Sequence, residues 1–396
     1  MTKPLDGVTV LDFSRVLAAP LATQTLAELG AEVIKVERPG RGDESRSFEP
    51  VLPAGESAYF FAFNRGKKSI TLDLKSLAGQ RIARDLAATA DIVVENFLPG
   101  TMDSFGLGYE HLSQDNPGLI YVATTGFGQT GPSRNDRGYD TIFQALSGIM
   151  SMTGPADGAP AKAGIPVSDL TSGLWVAIAA LTGLAGRAHS GAGCYVDVSM
   201  LDAQLTLSAL AAARIFALDD DPHRNGTEHP GRVPSAAFVC ADEQWLHISA
   251  SDQHWKPLCA ALELTDLEDD PRFASNAKRV ENRTDLMPLL RRAIGDLKRD
   301  DALTRLGAAG VPVGAVRSVR EALESEHARV REIIQTFDHP TEGTFPALRT
   351  PLILTGYDSP TVGVPPVLGA DTESVLAERL SLSQTELADL RATGVI

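Results

Sequence analysis

The stretch that decides the fold is "VTVLDFSRVLAAPLATQTLAELGAEVIKVE", residues 8–37. Its first part, "VTVLDFS", predicts a buried strand, and "PLATQTLAELG" predicts an amphipathic helix that ends at Gly30. The remainder, "AEVIKVE", predicts a second strand. A strand, a crossover helix and a second strand form a βαβ unit with parallel strands, so this stretch predicts an α/β fold.

The same alternation continues along the chain. "KSITLDL", "DIVVENF" and "GLIYVATTG" predict strands, and "AGQRIARDLAATA" predicts a helix between the first two. From Tyr139 onward, "YDTIFQALSGIMSM" and "DLTSGLWVAIAALTGLAGRAHS" predict helices, and "LDAQLTLSALAAARIFAL" predicts one long helix after the strand "GCYVDVSM". We therefore expect an open, largely parallel sheet with helices on its faces.

The length of 396 residues exceeds one ordinary hydrophobic core and predicts more than one domain. We expect a large α/β domain over residues 1–200, followed by a helix and a linker over 201–230, where Pro, Gly and charged residues cluster. A small α+β domain is expected over 231–326, where "AFVCADEQWLHISAS" predicts a hairpin. A C-terminal return is expected over 327–396.

Composition excludes several classes of protein. A hydrophobic share of 43% and a charged share of 22% exclude disordered and coiled-coil chains, and a net charge of -15 argues against nucleic-acid binding. No signal peptide is evident, and we expect no window apolar enough to span a membrane. Cys194, Cys240 and Cys259 form neither a disulfide framework nor a zinc pair and are expected to be buried, which predicts a cytoplasmic protein.

The motif Gly126-Phe127-Gly128-Gln129-Thr130-Gly131 matches the GxGxxG pattern of dinucleotide-binding turns. A working turn needs a helix that begins at the last glycine, and here Pro132 follows Gly131 in a loop-forming segment. It also needs an acidic residue about 20 positions on, and residues 146–150 contain none. The glycines therefore indicate a tight loop at a strand end rather than an NAD site.

Basic and planar side chains recur where predicted strands end, at Arg38, Lys75, Asn96, Phe97 and Arg137. Each of them alone also suits a solvated surface charge or a core position. Together they predict a site for a ligand with several phosphates and a planar base, because arginine binds phosphate through two parallel hydrogen bonds.

Asp169, in "GIPVSDLTSG", precedes a long apolar helix. One interpretation is an ordinary helix N-cap. The other is a carboxylate that the helix dipole keeps ionised and that acts as a nucleophile. The eight histidines show no spacing typical of a metal site, and no Ser-His-Asp arrangement is evident.

Several long segments resemble the family III CoA-transferases, which include formyl-CoA and carnitine CoA-transferases. These segments are "LDGVTVLDFSRVLAAPLATQTLAELGAEVIKVERPGRGDESR", "NRGKKSITLDLK", "VENFLPGTMDSFGLGYE", "TGFGQTGPSRNDRGYDTIFQALSG" and "DLTSGLW". They occur in the order and at the spacing of that family. The resemblance is greatest to the branch that moves CoA between succinyl-CoA and other dicarboxylic acids.

The resemblance implies a Rossmann-like large domain formed by both chain ends, a small inserted domain and a homodimer of two interlocked rings. It implies CoA transfer from an acyl-CoA to a carboxylic acid through an aspartyl-CoA thioester, with CoA as a substrate and no permanently bound cofactor. The family's catalytic aspartate falls on Asp169. Its CoA contacts fall on Arg38, Leu72, Leu74, Lys75, Asn96, Phe97, Arg137, Gly138 and Tyr139.

The chain departs from the formyl-CoA branch at three places. Leu17 replaces a glutamine and "HISASDQHW" lacks a run of glycines, so formyl-CoA and oxalate are not expected as substrates. Ser104 replaces an arginine, so one phosphate contact is expected to be lost or moved. The alternative is an acyl-CoA racemase or epimerase of the same family, although that branch has a histidine where this chain has Tyr139. An NAD-dependent oxidoreductase or a non-catalytic CoA-binding protein is a more remote alternative.

Three arginines are candidates for the acyl end of the site. Arg15 and Arg46 follow predicted N-terminal strands, and Arg232 lies in the linker region. A guanidinium at the acyl end predicts a C4–C6 dicarboxylic acyl group. The alternative is that Arg15 and Arg46 form surface or interface salt bridges.

Overall fold

The computed structural model describes residues 2–396, which form two compact units. The first unit comprises Met1–Ile149, Ala163–Asp219 and Arg331–Ile396, and the second comprises Met150–Lys162 and Asp220–Val330. Each unit has its own core and is described by itself.

The strands, in chain order, are β1 (Thr9–Asp12), β2 (Glu32–Glu37), β3 (Lys68–Thr71), β4 (Ile92–Glu95), β5 (Ile120–Thr125), β6 (Cys194–Ser199), β7 (Ser235–Val239), β8 (Trp245–Ser249), β9 (Val313–Ala315), β10 (Ile334–His339) and β11 (Gly343–Leu348). The helices are α1 (Ala18–Glu28), α2 (Ala58–Phe63), α3 (Leu77–Ala87), α4 (Thr101–Ser104), α5 (Tyr109–Asp115), α6 (Asp140–Leu146), α7 (Ile149–Met152), α8 (Val167–Ser190), α9 (Met200–Leu207), α10 (Ala209–Leu218), α11 (Trp255–Ala261), α12 (Thr265–Glu268), α13 (Asn276–Glu281), α14 (Arg283–Gly295), α15 (Arg299–Ala308), α16 (Val319–Leu323), α17 (Glu326–Val330), α18 (Thr372–Leu380) and α19 (Gln384–Ala392).

The first unit is built on a six-stranded sheet in the order β3-β2-β1-β4-β5-β6, in which all neighbouring strands are parallel. The predicted α/β class is therefore confirmed. The chain moves outward from β1 to β3 on one side and then returns to β4 on the other side. The carboxyl ends of β1 and β4 thus form a switch point, where open α/β sheets usually bind ligands.

The sheet is buried on both faces, because alternate residues of each strand point to opposite sides. Leu11, Ile34 and Val93 pack in the cluster that includes residues of α3, α18 and α19. Val10, Val33 and Ile92 pack in the cluster that includes residues of α1 and α8. This double burial explains why the strands read as continuous apolar runs in the sequence.

The C-terminal segment belongs to the first unit and covers the edge of the sheet at β3. The backbone amide of Ser69 donates to the Asp371 carboxylate at 2.8 Å. The amide of Asp73 donates to the Val395 carbonyl at 2.8 Å. Residues of the C-terminal segment therefore hold both β3 and the loop that follows it.

Two predictions about helices were wrong. The segment expected as one long helix forms α9 and α10, which are bent by 65° at Ser208. No segment apolar enough to span a membrane was expected, but the length and composition of α8 are sufficient to cross one. In the fold, α8 buries Val176 and Ala180 in the core that it shares with α1 and the sheet.

The second unit contains the three-stranded antiparallel sheet β7-β8-β9. The hairpin predicted from "AFVCADEQWLHISAS" is confirmed by the antiparallel pair β7 and β8. Apolar residues of β8, α11, α14 and α15 form its core, including Leu246, Leu258, Leu290 and Leu306.

Candidate active site

A cavity of about 530 Å³ lies at the carboxyl ends of β1, β2, β3 and β4 in the first unit. The lining comes from the four segments that follow these strands, as the switch-point rule predicts. Its residues include Ser14, Arg15, Lys35, Arg38, Arg41, Asp43, Glu44, Leu72, Asp73, Leu74, Lys75, Phe97 and Phe105.

Most of the residues predicted to contact CoA line this cavity: Arg38, Leu72, Leu74, Lys75 and Phe97. Positively charged and apolar groups thus meet in one place, as phosphates and an adenine base require. Arg41 also lines the cavity and was missed by the sequence argument. The sequence feature that could have identified it is the second arginine of "RPGRG". The glycines of this segment allow a sharp turn directly after a strand.

Arg15 lines the same cavity and is 42% exposed at its side chain. Its guanidinium lies over the Phe97 ring at 4.6 Å and forms an ion pair with Glu44 at 2.9 Å. Asn96 lies behind the lining and not in it. Its side chain bonds to the backbone amide and carbonyl of Arg15 at 2.9 and 2.8 Å.

Arg46 is engaged elsewhere and is only 9% exposed at its side chain. Its guanidinium donates twice to Glu37, at 2.7 and 2.8 Å, and lies 3.8 Å from the centre of the Phe60 ring. It also donates to the Pro366 carbonyl at 3.1 Å. Because Glu37 is committed to Arg46 and Ser69, it is not available to a ribose, which agrees with the rejection of an NAD site.

A buried group of charges lies at the base of the cavity, where Lys35 and Asp43 form part of its lining. Lys35 pairs with Asp43 at 2.9 Å, and Lys67 pairs with Asp12 at 3.0 Å; the four side chains are almost fully buried. Burial opposes ionisation of Asp43, but Lys35 and the hydrogen bonds from Lys35 and Ser45 lower its pKa to about 2. These carboxylates are therefore fixed negative charges at neutral pH.

Asp169 is the third residue of α8, and the helix N-cap is Pro166. The N-cap interpretation is therefore wrong. Asp140 holds the first turn of α8 in place. Its carboxylate accepts a hydrogen bond from the Ser168 amide at 2.8 Å and another from Gln144 Nε2 at 2.6 Å. Within residues 2–396, no hydrogen bond or ion pair engages the Asp169 carboxylate.

The electrostatic environment of Asp169 differs from the one predicted. Burial, followed by the nearby negative charge of Asp140, raises the pKa of Asp169 to about 7. These two effects outweigh the helix dipole that was expected to keep the carboxylate ionised. Burial, followed by the negative charges of Asp169, Asp43 and Asp140, raises the pKa of the Tyr59 phenol to about 12.

The glycine-rich loop serves packing at the start of α6. A Cβ atom built on Gly126 or on Gly138 would lie 2.5 Å from the Phe143 ring, so only glycine fits at either position. No helix begins at Gly131, and the next helix begins at Asp140. Arg137 and Tyr139 are exposed on this loop and are not part of the cavity lining, although they adjoin Asp140 in sequence.

The remaining predicted residues lie outside the cavity. Leu17 is buried at the N-cap of α1. Cys240 and Cys259 are buried as predicted, whereas Cys194 on β6 is only partly buried. Across the described chain, no cluster of His, Cys, Asp or Glu side chains is arranged to hold a metal ion.

Comparison with known proteins identifies the relatives of this chain. The model of CoA-transferase family III matches residues 5–372. A succinyl-CoA:glutarate CoA-transferase of Mus musculus is 37% identical, with 100% of this chain and 90% of the relative covered. A succinate–glutarate CoA-transferase of Agrobacterium fabrum is 36% identical, with 96% and 97% covered. The crystal structure of a CAIB/BAIF family protein from Brucella suis superposes with a TM-score of 0.85 at 37% identity, with 96% of this chain and 100% of that chain covered.

Proposed function

The chain belongs to CoA-transferase family III and is a CoA-transferase, and from this premise we propose that it moves CoA from succinyl-CoA or a similar acyl-CoA to a dicarboxylic acid. We propose Asp169 as the nucleophile and an aspartyl-CoA thioester as the intermediate. CoA is a substrate, held by Arg38, Leu72, Leu74, Lys75 and Phe97. Arg137, Gly138 and Tyr139 are proposed to contact CoA beside Asp140. The strand order supports a Rossmann-like description of the first unit.

In the first half-reaction, the Asp169 carboxylate attacks the thioester carbonyl of the donor. The carbon–sulfur bond breaks, which gives a mixed anhydride and CoA thiolate. The thiolate then attacks the aspartyl carbonyl and releases the donor acid as a carboxylate. The enzyme is left as an aspartyl-CoA thioester, and no proton is transferred in these two steps.

In the second half-reaction, the acceptor carboxylate attacks the aspartyl thioester and releases CoA thiolate. The thiolate attacks the acceptor carbonyl of the new anhydride, which forms the product thioester and restores the Asp169 carboxylate. The energy of the thioester bond is conserved at each step, so the reaction needs no ATP. Water must be excluded, because it would hydrolyse the anhydride.

The observation that carries this proposal is the state of Asp169. A partly buried carboxyl group with a pKa of about 7 and no bonding partner in the described chain is costly to the fold and is typical of a functional group. An N-cap or a structural ion pair would instead be bonded and strongly acidic. We propose the Tyr59 phenol, whose pKa the charge of Asp169 helps to raise, as a donor to an oxygen of the reacting acyl group.

Arg15 is proposed to bind the distal carboxylate of the acyl group. Of the three predicted arginines, Arg46 is bonded to Glu37 and Pro366, Arg232 belongs to the second unit, and Arg15 is half-exposed in the cavity. We expect Arg15→Ala to lower kcat/KM for succinyl-CoA about 10- to 150-fold, the equivalent of one charge-assisted contact of roughly 1.5–3 kcal/mol. Butyryl-CoA, which lacks the distal carboxylate, should be affected less than about threefold by this variant.

Steady-state kinetics with both donors tests the assignment. Lys75→Ala is the matched control: it removes a cation from the same cavity and should affect both donors equally. Equal specificity constants of the unchanged enzyme for succinyl-CoA and butyryl-CoA would rule out the dicarboxylate proposal. A similar fall in kcat/KM for both donors in Arg15→Ala would instead assign Arg15 to the part of the site that binds CoA.

A homodimer of interlocked chains is proposed on the basis of an uncovered apolar surface in the first unit. Leu210 and Phe216 on α10 are 83% and 87% exposed, and Leu174, Trp175 and Ile178 on α8 are also exposed. Apolar surface of this extent marks a protein interface. Sedimentation equilibrium should give twice the chain mass of 42.1 kDa, and a monomer mass at micromolar concentration would contradict the proposal.

We propose a cytoplasmic enzyme with no membrane or nucleic-acid partner. The membrane-compatible helix α8 is packed against α1, where a Cβ atom on Gly173 would lie 2.5 Å from the Ala18 carbonyl oxygen. The dimer would cover its remaining apolar face. Recovery of the protein in the membrane fraction after cell lysis would refute this localisation.

A further inference from the structure

The segment Ser14–Val16, between β1 and α1, has no regular secondary structure, yet its backbone is bonded at every step. The Ser14 amide donates to Asp12 Oδ1 at 2.9 Å. The Ser14 carbonyl accepts from Lys35 Nζ at 2.7 Å. Both partners belong to the group of buried charges at the base of the cavity, and they satisfy both polar groups of the Ser14 backbone.

The next backbone groups are bonded in the same way. Asn96 Oδ1 accepts from the Arg15 amide at 2.9 Å, and Asn96 Nδ2 donates to the Arg15 carbonyl at 2.8 Å. The Val16 amide donates to both oxygens of Asp43, at 3.2 Å each. Five consecutive polar groups of the backbone, from the Ser14 amide to the Val16 amide, are thus bound by side chains from other positions.

These bonds hold Val16 in an unfavourable conformation. Its φ angle is 71°, in the left-handed region that β-branched residues rarely adopt. Asp43, which accepts from the Val16 amide, is itself fixed by the ion pair with Lys35 and by a hydrogen bond from its own amide to Glu37 at 2.9 Å. Such conformations persist only where surrounding contacts hold the residue in place, and they are concentrated at functional sites.

The segment lies between the two parts of the site. Ser14 and Arg15 line the cavity. Two residues after Val16, the Ala18 carbonyl oxygen touches Gly173, which follows Asp169 by one turn of α8. A shift of the segment would therefore move the start of α1 against the helix that carries Asp169.

We propose that Asn96 and Asp43 are positioning residues, which hold Val16 in its left-handed conformation so that the cavity and Asp169 keep the spacing needed for the attack on the thioester. The role of Asn96 is exerted through the backbone of Arg15 and not through a contact with CoA. The proposal rests on the CoA-transferase activity and is independent of which acids are exchanged.

The first test asks whether glycine at position 16 makes the restraint from Asn96 unnecessary, because glycine adopts a φ of 71° without strain. In Asn96→Asp we expect kcat to fall about tenfold or more, because a displacement of about 1 Å is sufficient for such a loss, and amide hydrogen exchange of the peptide that contains residues 10–20 should accelerate. Val16→Gly added to this variant should restore kcat to within about threefold of the unchanged protein, and it should not lower the melting temperature.

Ser381→Gly is the matched control, because Ser381 is left-handed at a φ of 56° and lies at the end of α18, outside the cavity lining. Added to Asn96→Asp, Ser381→Gly should restore nothing. A double variant of Asn96→Asp and Val16→Gly with a kcat no higher than that of Asn96→Asp alone would overturn the proposal.

The second test is Asn96→Asp, which keeps the acceptor for the Arg15 amide and removes the donor to the Arg15 carbonyl. We expect kcat to fall about tenfold or more, while the calorimetric affinity for CoA stays within about threefold. The opposite result, a weaker affinity for CoA with kcat retained, would make Asn96 a CoA contact and overturn the positioning role. Since CoA affinity and amide exchange need no turnover, failure of the proposed substrate pair would be distinguished from failure of this inference.

Discussion

Replacement of Asp169 by alanine is expected to lower kcat for CoA transfer by roughly 10³-fold or more, as removal of a covalent nucleophile does in other enzymes. CoA binding should persist, because the cavity is lined by residues from other segments. Unchanged enzyme incubated with acyl-CoA and hydroxylamine should yield free CoA and a hydroxamate at position 169, detectable by mass spectrometry. The Asp169→Ala protein should show neither product.

Asp202→Ala is the control, since Asp202 also lies in the first turn of a helix, α9. It should retain activity within about twofold. Full transfer activity in Asp169→Ala would end the covalent mechanism, and the same loss in both variants would indicate a structural cause.

The same carboxyl group sets the expected pH dependence. Only ionised Asp169 attacks the thioester, and its pKa is raised to about 7. kcat/KM should therefore fall about tenfold for each pH unit below 7 and reach a plateau above it. Asp140→Asn removes a negative charge that raises this pKa and should move the midpoint to lower pH. A midpoint near the ordinary carboxyl value in the unchanged enzyme would contradict the environment described for Asp169.

The second large effect concerns stability. Asp12→Asn is expected to lower the free energy of unfolding by roughly 3–5 kcal/mol, because it leaves the fully buried Lys67 without its charged partner. The isosteric amide preserves the packing volume, but it also replaces one oxygen that accepts from Ser14 or from Thr23, so the loss combines the ion pair with these buried hydrogen bonds. Urea unfolding monitored by circular dichroism measures it.

Asp115→Asn is the matched control in the same unit. It breaks the exposed pair between Arg84 and Asp115, which should change the unfolding free energy by less than about 1 kcal/mol. A similarly small effect in Asp12→Asn would show that Lys67 is neutral in the fold or that its bonds to Asn64 and Pro20 are sufficient to hold it.

The sequence predicted the parts of the fold that depend on local pattern. Two continuous apolar runs predicted β1 and β2, and a helical period between them predicted α1. The pattern of the strands is strong because the sheet is buried on both faces. The rejection of an NAD turn also followed locally, from Pro132 and the absence of a helix start.

Features that depend on distant partners were not predictable. The engagement of Arg46 requires Glu37 and Pro366, which the sequence places far apart. The left-handed Val16 has no local signal, because valine is among the residues least suited to that conformation. The raised pKa of Asp169 likewise comes from burial and Asp140, both of which are set by the tertiary fold.

Three hydrogen bonds determine when the sheet edge is covered during synthesis. Ser69 donates to Asp371, Asp73 donates to Val395, and Arg46 donates to Pro366. The N-terminus of a chain emerges from the ribosome first, so β1 to β6 emerge well before the residues that secure β3. The nascent enzyme therefore carries an open sheet edge until residues 366–395 have emerged. The residues that line the cavity all lie between Phe13 and Phe105, but a chain terminated near residue 360 would lack the acceptors that hold β3, the loop after it and Arg46.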